Sequence, residues 1–128
     1  MNSNPKLFFS AAMFNCFVAL VFLFSYQSAF KLLGITPIPD NPIYLHLFAI
    51  LVAMFGWAYY QAGKDFTANR NLIELGTIAK IVVFLLPFGY FLVGLISWQL
   101  PLLASVDLLY ALLFIRALKA QKLIIMKK

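Results

Sequence analysis

Four long apolar stretches separated by short polar segments organise this chain, covering about residues 7–30, 43–62, 72–97 and 101–120. The first begins at Leu7 and continues as FFSAAMFNCFVALVFLFSYQSAF without a charge. Each stretch has about the 20 residues that a helix needs to cross a hydrocarbon layer roughly 30 Å thick. None alternates with period two, so helices rather than barrel strands are predicted. The connections GKDFTANRN and SWQLP are short, which makes successive helices antiparallel. The expected fold is all-α: one integral membrane domain over residues 1–128, an antiparallel four-helix bundle.

The segment boundaries carry helix-start and helix-stop chemistry. Asn4 with Pro5, and Asn41 with Pro42, each offer an N-cap side chain followed by a proline at the first helical position, where its missing N–H does no harm. Asn71 followed by Glu74 suggests a capping box for the third helix. Pro101 opens the fourth, although Leu100 is a poor cap. Gly34 suits a left-handed stop after the first span. The three prolines of ITPIPDNP predict a stiff, non-helical crossing loop.

Composition removes the soluble alternatives. Hydrophobic residues make up 64% and charged residues 11% of 128 residues, against roughly 45–50% and about 25% in an ordinary soluble domain. The mean hydropathy is +0.94. Disordered chains are poor in apolar residues, so disorder is excluded as well. The net charge of +6 does not point to nucleic acid, because the basic residues cluster at loops and ends beside apolar runs. There they act as topology determinants and anionic-lipid contacts.

Their distribution orients the chain. With the N-terminus cytoplasmic, that side carries Lys6, Lys64, Arg70, Arg116, Lys119, Lys122, Lys127 and Lys128. The opposite side carries Lys31 alone, and Lys80 lies inside a span. The positive-inside rule then gives N-in, C-in. Trp98 and Tyr44 fall at the outer interface; Trp57, Tyr59 and Tyr60 approach the inner one as an aromatic belt. The tail RALKAQKLIIMKK offers Arg116, Lys119, Lys122, Lys127 and Lys128 to anionic lipid, or continues as a short interfacial helix. A competing reading takes the first span as a signal peptide, with Lys6 as its basic region and Gln27-Ser28-Ala29 as a loose cleavage site. The apolar run exceeds the usual length of such a segment.

Polar residues inside the spans are the candidate site. Lys80 lies about 12 Å into the third helix; it either snorkels to the cytoplasmic headgroups or faces the bundle interior. Asp107 cannot snorkel as a lysine does, and sits roughly 7–9 Å inside the outer edge of the fourth span. His46 and Gln27, with Tyr26, lie at similar depth, so Gln27, His46 and Asp107 are expected to converge on one outward-facing polar pocket. Lys80 and Asp107 differ in depth by about 10 Å while a lysine reaches roughly 6 Å. The sequence therefore favours a water- or hydroxyl-bridged link over a direct ion pair. A structural clamp of that kind contributes about 0.6–2 kcal/mol. Glu74 is explained by pairing with Arg70. Pro87 should kink the third span, either shaping the bundle or marking a gate with Lys80 and Tyr90. Small-residue spacings at Ser25/Ala29, Ala49/Ala53 and Ala58/Ala62 suit close helix approach.

Catalytic motifs are lacking: no Ser–His–Asp set, HExxH or phosphate loop occurs in the sequence. The single cysteine, Cys16, reads as a small buried hydrophobe and cannot build a metal site. The single histidine is too few for bis-histidine haem ligation. No cofactor is called for, and the chain does not read as an enzyme. Small multidrug exporters share the length and helix number, but they depend on an acidic residue in the first helix, which is missing here.

Leu33-Gly34 with Pro37, Asn69-Arg70 before the third helix, Lys80, Asp107 and Phe114 together make residues 30–118 resemble the small four-helix bacterial membrane proteins grouped as DoxX-like. That resemblance implies a four-helix bundle in the bacterial inner membrane. It also implies a distant link to quinone-linked oxidoreductase subunits, for which no site motif carries over. The expected function is that of a small accessory or ligand-binding membrane subunit, with a membrane-protein partner or a second copy of the chain beside it. The alternatives are a proton-coupled transporter using Asp107, and a subunit of a quinone- or lipid-linked membrane enzyme.

Overall fold

The computed structural model describes residues 5–127, and among these the chain forms five helices and no strand. They are α1 (Pro5–Phe24), α2 (Tyr26–Leu33), α3 (Ile43–Lys64), α4 (Arg70–Leu92) and α5 (Gln99–Met126). Four of them, α1, α3, α4 and α5, are long and apolar enough to cross a membrane. The 28 residues of α5 rise about 42 Å, so this helix outreaches a hydrocarbon layer of roughly 30 Å. Its last turns carry the basic tail. Large apolar side chains cover the outside as well as the inside: Leu20, Leu51, Ile78 and Leu112 are all more than half exposed. Such an exterior suits lipid, which is as apolar as leucine.

The ends of the helices follow local chemistry. Asn41 Oδ1 accepts the Ile43 N–H at 3.1 Å, and the Pro42 carbonyl accepts from His46 N–H at 2.8 Å. The helix thus starts one residue later than the asparagine–proline pattern predicts: Pro42 is itself the N-cap, and Asn41 closes a turn just before it. Asn4 and Lys128 lie outside the described residues. Gly34 adopts φ +77°, with Ile35 N–H bonded to the Phe30 carbonyl. A residue with a Cβ is disfavoured in that left-handed conformation, so glycine ends α2 as anticipated. Gly94, at φ +82°, ends α4 in the same way, with Leu95 N–H bonded to the Tyr90 carbonyl. The third span therefore stops at Leu92 rather than at 97, because a glycine turn intervenes while the apolar composition continues.

Three expectations are corrected locally. The first apolar run is not one helix: it breaks at Ser25, whose φ of −141° is non-helical. The chain bends there and continues as α2, with Ser25 N–H bonded to Val21 and Ala29 N–H to the Ser25 carbonyl. The Asn71–Glu74 capping box does not form. Asn69 precedes α4 instead, and its side-chain amide donates to the Gln61 and Asp65 carbonyls, tying the turn to the end of α3. Glu74 is taken by Arg70 Nε at 3.1 Å, as its spacing suggests. Finally, Tyr59 is not part of an interfacial belt, being only 1% exposed, whereas Trp57, Tyr60, Tyr44 and Trp98 are open to the surroundings.

Contacts of α1 with α3 and the turn after it run in opposite order: Phe8 meets Phe66, Phe9 meets Tyr60, Asn15 meets Val52 and Phe22 meets Phe48. The same holds for α4 and α5, where Arg70 bonds Leu118 and Gln121 while Lys80 bonds Asp107. The two pairs join through a core of Phe8, Tyr59, Ile73 and Phe114. Phe114 touches both Phe8 and Tyr59, with ring centroids 5.4 and 5.1 Å apart. Gly76 lets Tyr59 reach α4, since a Cβ there would lie 2.4 Å from the Tyr59 ring. At the far end of the pairs, Ser97 N–H bonds the Thr36 carbonyl and Thr36 N–H bonds Ser97 Oγ, each at 2.9 Å.

Candidate functional site

The buried residues of α4 are Ile73, Gly76, Thr77 and Lys80, a spacing that puts them on one helical face. Lys80 thus belongs to the packed stripe, and its 3% exposure settles the choice between snorkelling and facing inward. On α5 the buried residues are Pro101, Ala104, Ala111 and Phe114. Asp107 fills the gap in that stripe, one turn beyond Ala104, and its side chain is 17% exposed. The two stripes face each other, so the side chains meet directly: Lys80 Nζ lies 2.6 Å from Asp107 Oδ1.

All four long helices contribute to this cluster. Asn15 on α1 accepts a second bond from Lys80 Nζ at 3.1 Å and uses its own amide N–H to hold the Val52 carbonyl of α3 at 3.0 Å. The ammonium also lies over three aromatic rings: Tyr59 of α3 and Tyr110 of α5 at 5.2 Å, and Phe14 of α1 at 5.4 Å. These rings are fixed in turn. Tyr59 donates to the Gly76 carbonyl at 3.4 Å, and Tyr110 donates to Ser10 Oγ at 3.0 Å. A lysine or aspartate at the centre of an apolar helix costs about 2.5–3.5 kcal/mol to insert. A close carboxylate, an amide oxygen and aromatic faces offset that cost together.

The direct contact corrects the expectation of a bridged link. Because α4 ends at Leu92, Lys80 stands about 18 Å and Asp107 about 12 Å from the turn that joins their helices, a difference that one lysine side chain covers. Gln27 and His46 do not join them. The Gln27 amide donates to Tyr26 Oη at 3.3 Å, and the Tyr26 ring stands edge-on to His46 with centroids 5.9 Å apart. His46 Nε2 is buried without a hydrogen-bond partner in the protein. Tyr26 also reaches the Pro39 carbonyl at 3.4 Å, so this group serves the α1–α2 bend and the crossing loop. Asp107 turns instead to Lys80.

The sequence did not single out Asn15, Phe14 or Tyr110, and it placed Tyr59 in the aromatic belt. Asn15 carried a signal: it is an amide in the middle of an apolar run, where a polar group needs a partner on another helix. The three aromatics carried none, being indistinguishable by type from the many exposed rings. Cys16 is also corrected: it is exposed rather than buried. The basic residues Arg116, Lys119, Lys122 and Lys127 are exposed along the last turns of α5. Among the described residues no group of three or more His, Cys, Asp or Glu side chains gathers as a metal centre requires. No family model, no curated protein and no solved structure matches this chain.

Proposed function

We propose that this protein is a small accessory or ligand-binding subunit of the bacterial inner membrane, without catalysis of its own. In this reading it is an antiparallel four-helix bundle with both termini cytoplasmic, and the Lys80–Asp107 pair is the clamp that holds the bundle in one arrangement. The observation that carries the proposal is the saturation of Lys80. Its ammonium is engaged by Asp107, Asn15 and three rings, all from the chain itself. A lysine so enclosed is spent on joining α1, α3, α4 and α5, which leaves the apolar exterior as the functional surface. The exposed Arg116, Lys119, Lys122 and Lys127 at the end of α5 suit the anionic lipid of a cytoplasmic leaflet. The DoxX-like resemblance supports the same class of protein, and a membrane-protein partner or a second copy fits it.

A second reading rests on the 17% exposure of Asp107. An intramembrane carboxylate with partial access to the surroundings is the feature that a proton-coupled transporter uses. The Asp107→Asn protein separates the two. An accessory bundle loses stability or partner assembly and shows no pH-driven flux before or after substitution. A transporter keeps its fold and loses flux in proteoliposomes. Gentle extraction followed by mass spectrometry supplies the positive test: a stoichiometric membrane-protein partner is expected. A bundle that purifies alone and moves a solute with a pH gradient would overturn the accessory role.

A further inference from the structure

A groove of about 570 Å³ runs between α1 and α3 on the outside of the molecule. Its construction is specific. Ala12 and Gly56 are buried small residues that let the two helices approach and leave a trough, extended by Cys16 and Ala53. Met13 and Trp57 stand up as its walls, 74% and 62% exposed. Phe9 and Tyr60 close one end, their ring centroids 5.6 Å apart. From Ala53 to Tyr60 the trough is about 10 Å long at the helical rise. That is the shape of a seat for one stretch of acyl chain.

The charge at the closed end selects which lipid. Lys64 continues the same face of α3 one turn beyond Tyr60 and holds its ammonium 5.2 Å from the centre of the Tyr60 ring. Lys6 lies one turn before Phe9 on α1 and is exposed, as is Lys64. Two cations therefore flank the closed end of an otherwise apolar trough, and the nearest carboxylate along α3, Asp65, is engaged at its Oδ1 by the Ala68 N–H. We infer that this groove binds an anionic phospholipid, with one acyl chain lying between Met13 and Trp57 and the phosphate between Lys6 and Lys64. The inference rests on the membrane reading above but not on which way the chain faces.

The test uses the two tryptophans and the lone cysteine. In a Trp98→Phe protein, Trp57 reports alone from the groove wall. It is reconstituted in phosphatidylcholine vesicles containing, at equal mole fraction, phosphatidylglycerol or phosphatidylcholine brominated on the acyl chain. The expected result is stronger quenching by the brominated phosphatidylglycerol. Lys6→Gln and Lys64→Gln should each cut that preference about fivefold, the usual worth of one basic residue at an anionic surface. Both lysines are exposed, so these variants fold. Equal quenching by the two lipids, or a preference untouched by the substitutions, overturns the site while leaving the membrane reading intact. No quenching by either lipid overturns both. Efficient Cys16–Cys16 cross-linking in the bilayer would put a second copy in the groove and overturn the lipid assignment.

Discussion

Asp107→Leu removes the carboxylate 2.6 Å from the Lys80 ammonium and leaves the lysine 3% exposed, with the Asn15 amide oxygen as its remaining hydrogen-bond acceptor. Breaking a buried pair from one side costs about 3–5 kcal/mol in soluble proteins, whereas polar contacts between helices in lipid average about 0.6 and reach about 1.7 kcal/mol. The burial of Lys80 decides between them. An ammonium held by a ring cage inside four helices cannot swing out to water, so a loss of about 3 kcal/mol is expected. Lys80→Met is milder, about 1–2 kcal/mol, in the range of polar contacts between helices, because Asp107 is partly exposed and not enclosed by the bundle as Lys80 is. The double variant, with both charges replaced by apolar groups of similar size, should fall within about 1 kcal/mol of the native protein. The cycle then closes on a coupling of about 4 kcal/mol. Reversible unfolding of all four proteins in mixed detergent–SDS micelles measures it. Additivity to within about 0.5 kcal/mol would refute the clamp, since independent sites behave that way.

Other substitutions test separate parts of the structure. Asn15→Leu removes the bridge between Lys80 and the Val52 carbonyl and should cost about 1–3 kcal/mol by the same unfolding assay, the penalty for a buried group left unpaired. Gly76→Ala places a Cβ against the Tyr59 ring and should destabilise by about 1–3 kcal/mol, while Gly89→Ala, with open space around it, should be neutral or slightly stabilising. Arg70→Lys keeps the charge but cannot hold Glu74, the Leu118 carbonyl and Gln121 at once. Hydrogen exchange should then rise in the last turns of α5 and remain unchanged around Lys80.

Much of the fold was legible because helices long and apolar enough to cross a membrane leave a strong and simple pattern. Long apolar runs and the glycine after α2 act locally, and four long apolar helices and the Gly34 stop are found. The failures share one cause: they concern faces and registers that depend on a neighbouring helix. Nothing in the local sequence says that Tyr59 turns inward over Lys80 while Tyr60, one residue on, turns out. The break at Ser25 and the end of α4 at Leu92 were hidden for a different reason. Apolar composition continues through both points, and only backbone conformation marks them. The Lys80–Asp107 pair lay between these extremes: both residues were conspicuous, but their contact needed the helix stripes. Those stripes, 73, 76, 77 and 80 on α4 and 101, 104, 111 and 114 on α5, are marked by burial, because both helices are apolar on all sides and periodicity singles out no face.

The placement of the pair within α4 and α5 bears on how the chain enters the bilayer during synthesis. Lys80 and Asp107 are 27 residues apart, on consecutive helices joined by a short turn. Each helix threaded alone would carry an uncompensated charge, at about 2.5–3.5 kcal/mol apiece. Threaded as a hairpin, they neutralise each other before either meets α1 or α3. Asn15, Phe14 and Tyr59 arrive earlier, on helices that are uncharged in their middle, and complete the enclosure when the hairpins dock. In the membrane reading, the pairing would favour entry of α4 and α5 together, and docking against α1 and α3 is the step that would enclose Lys80.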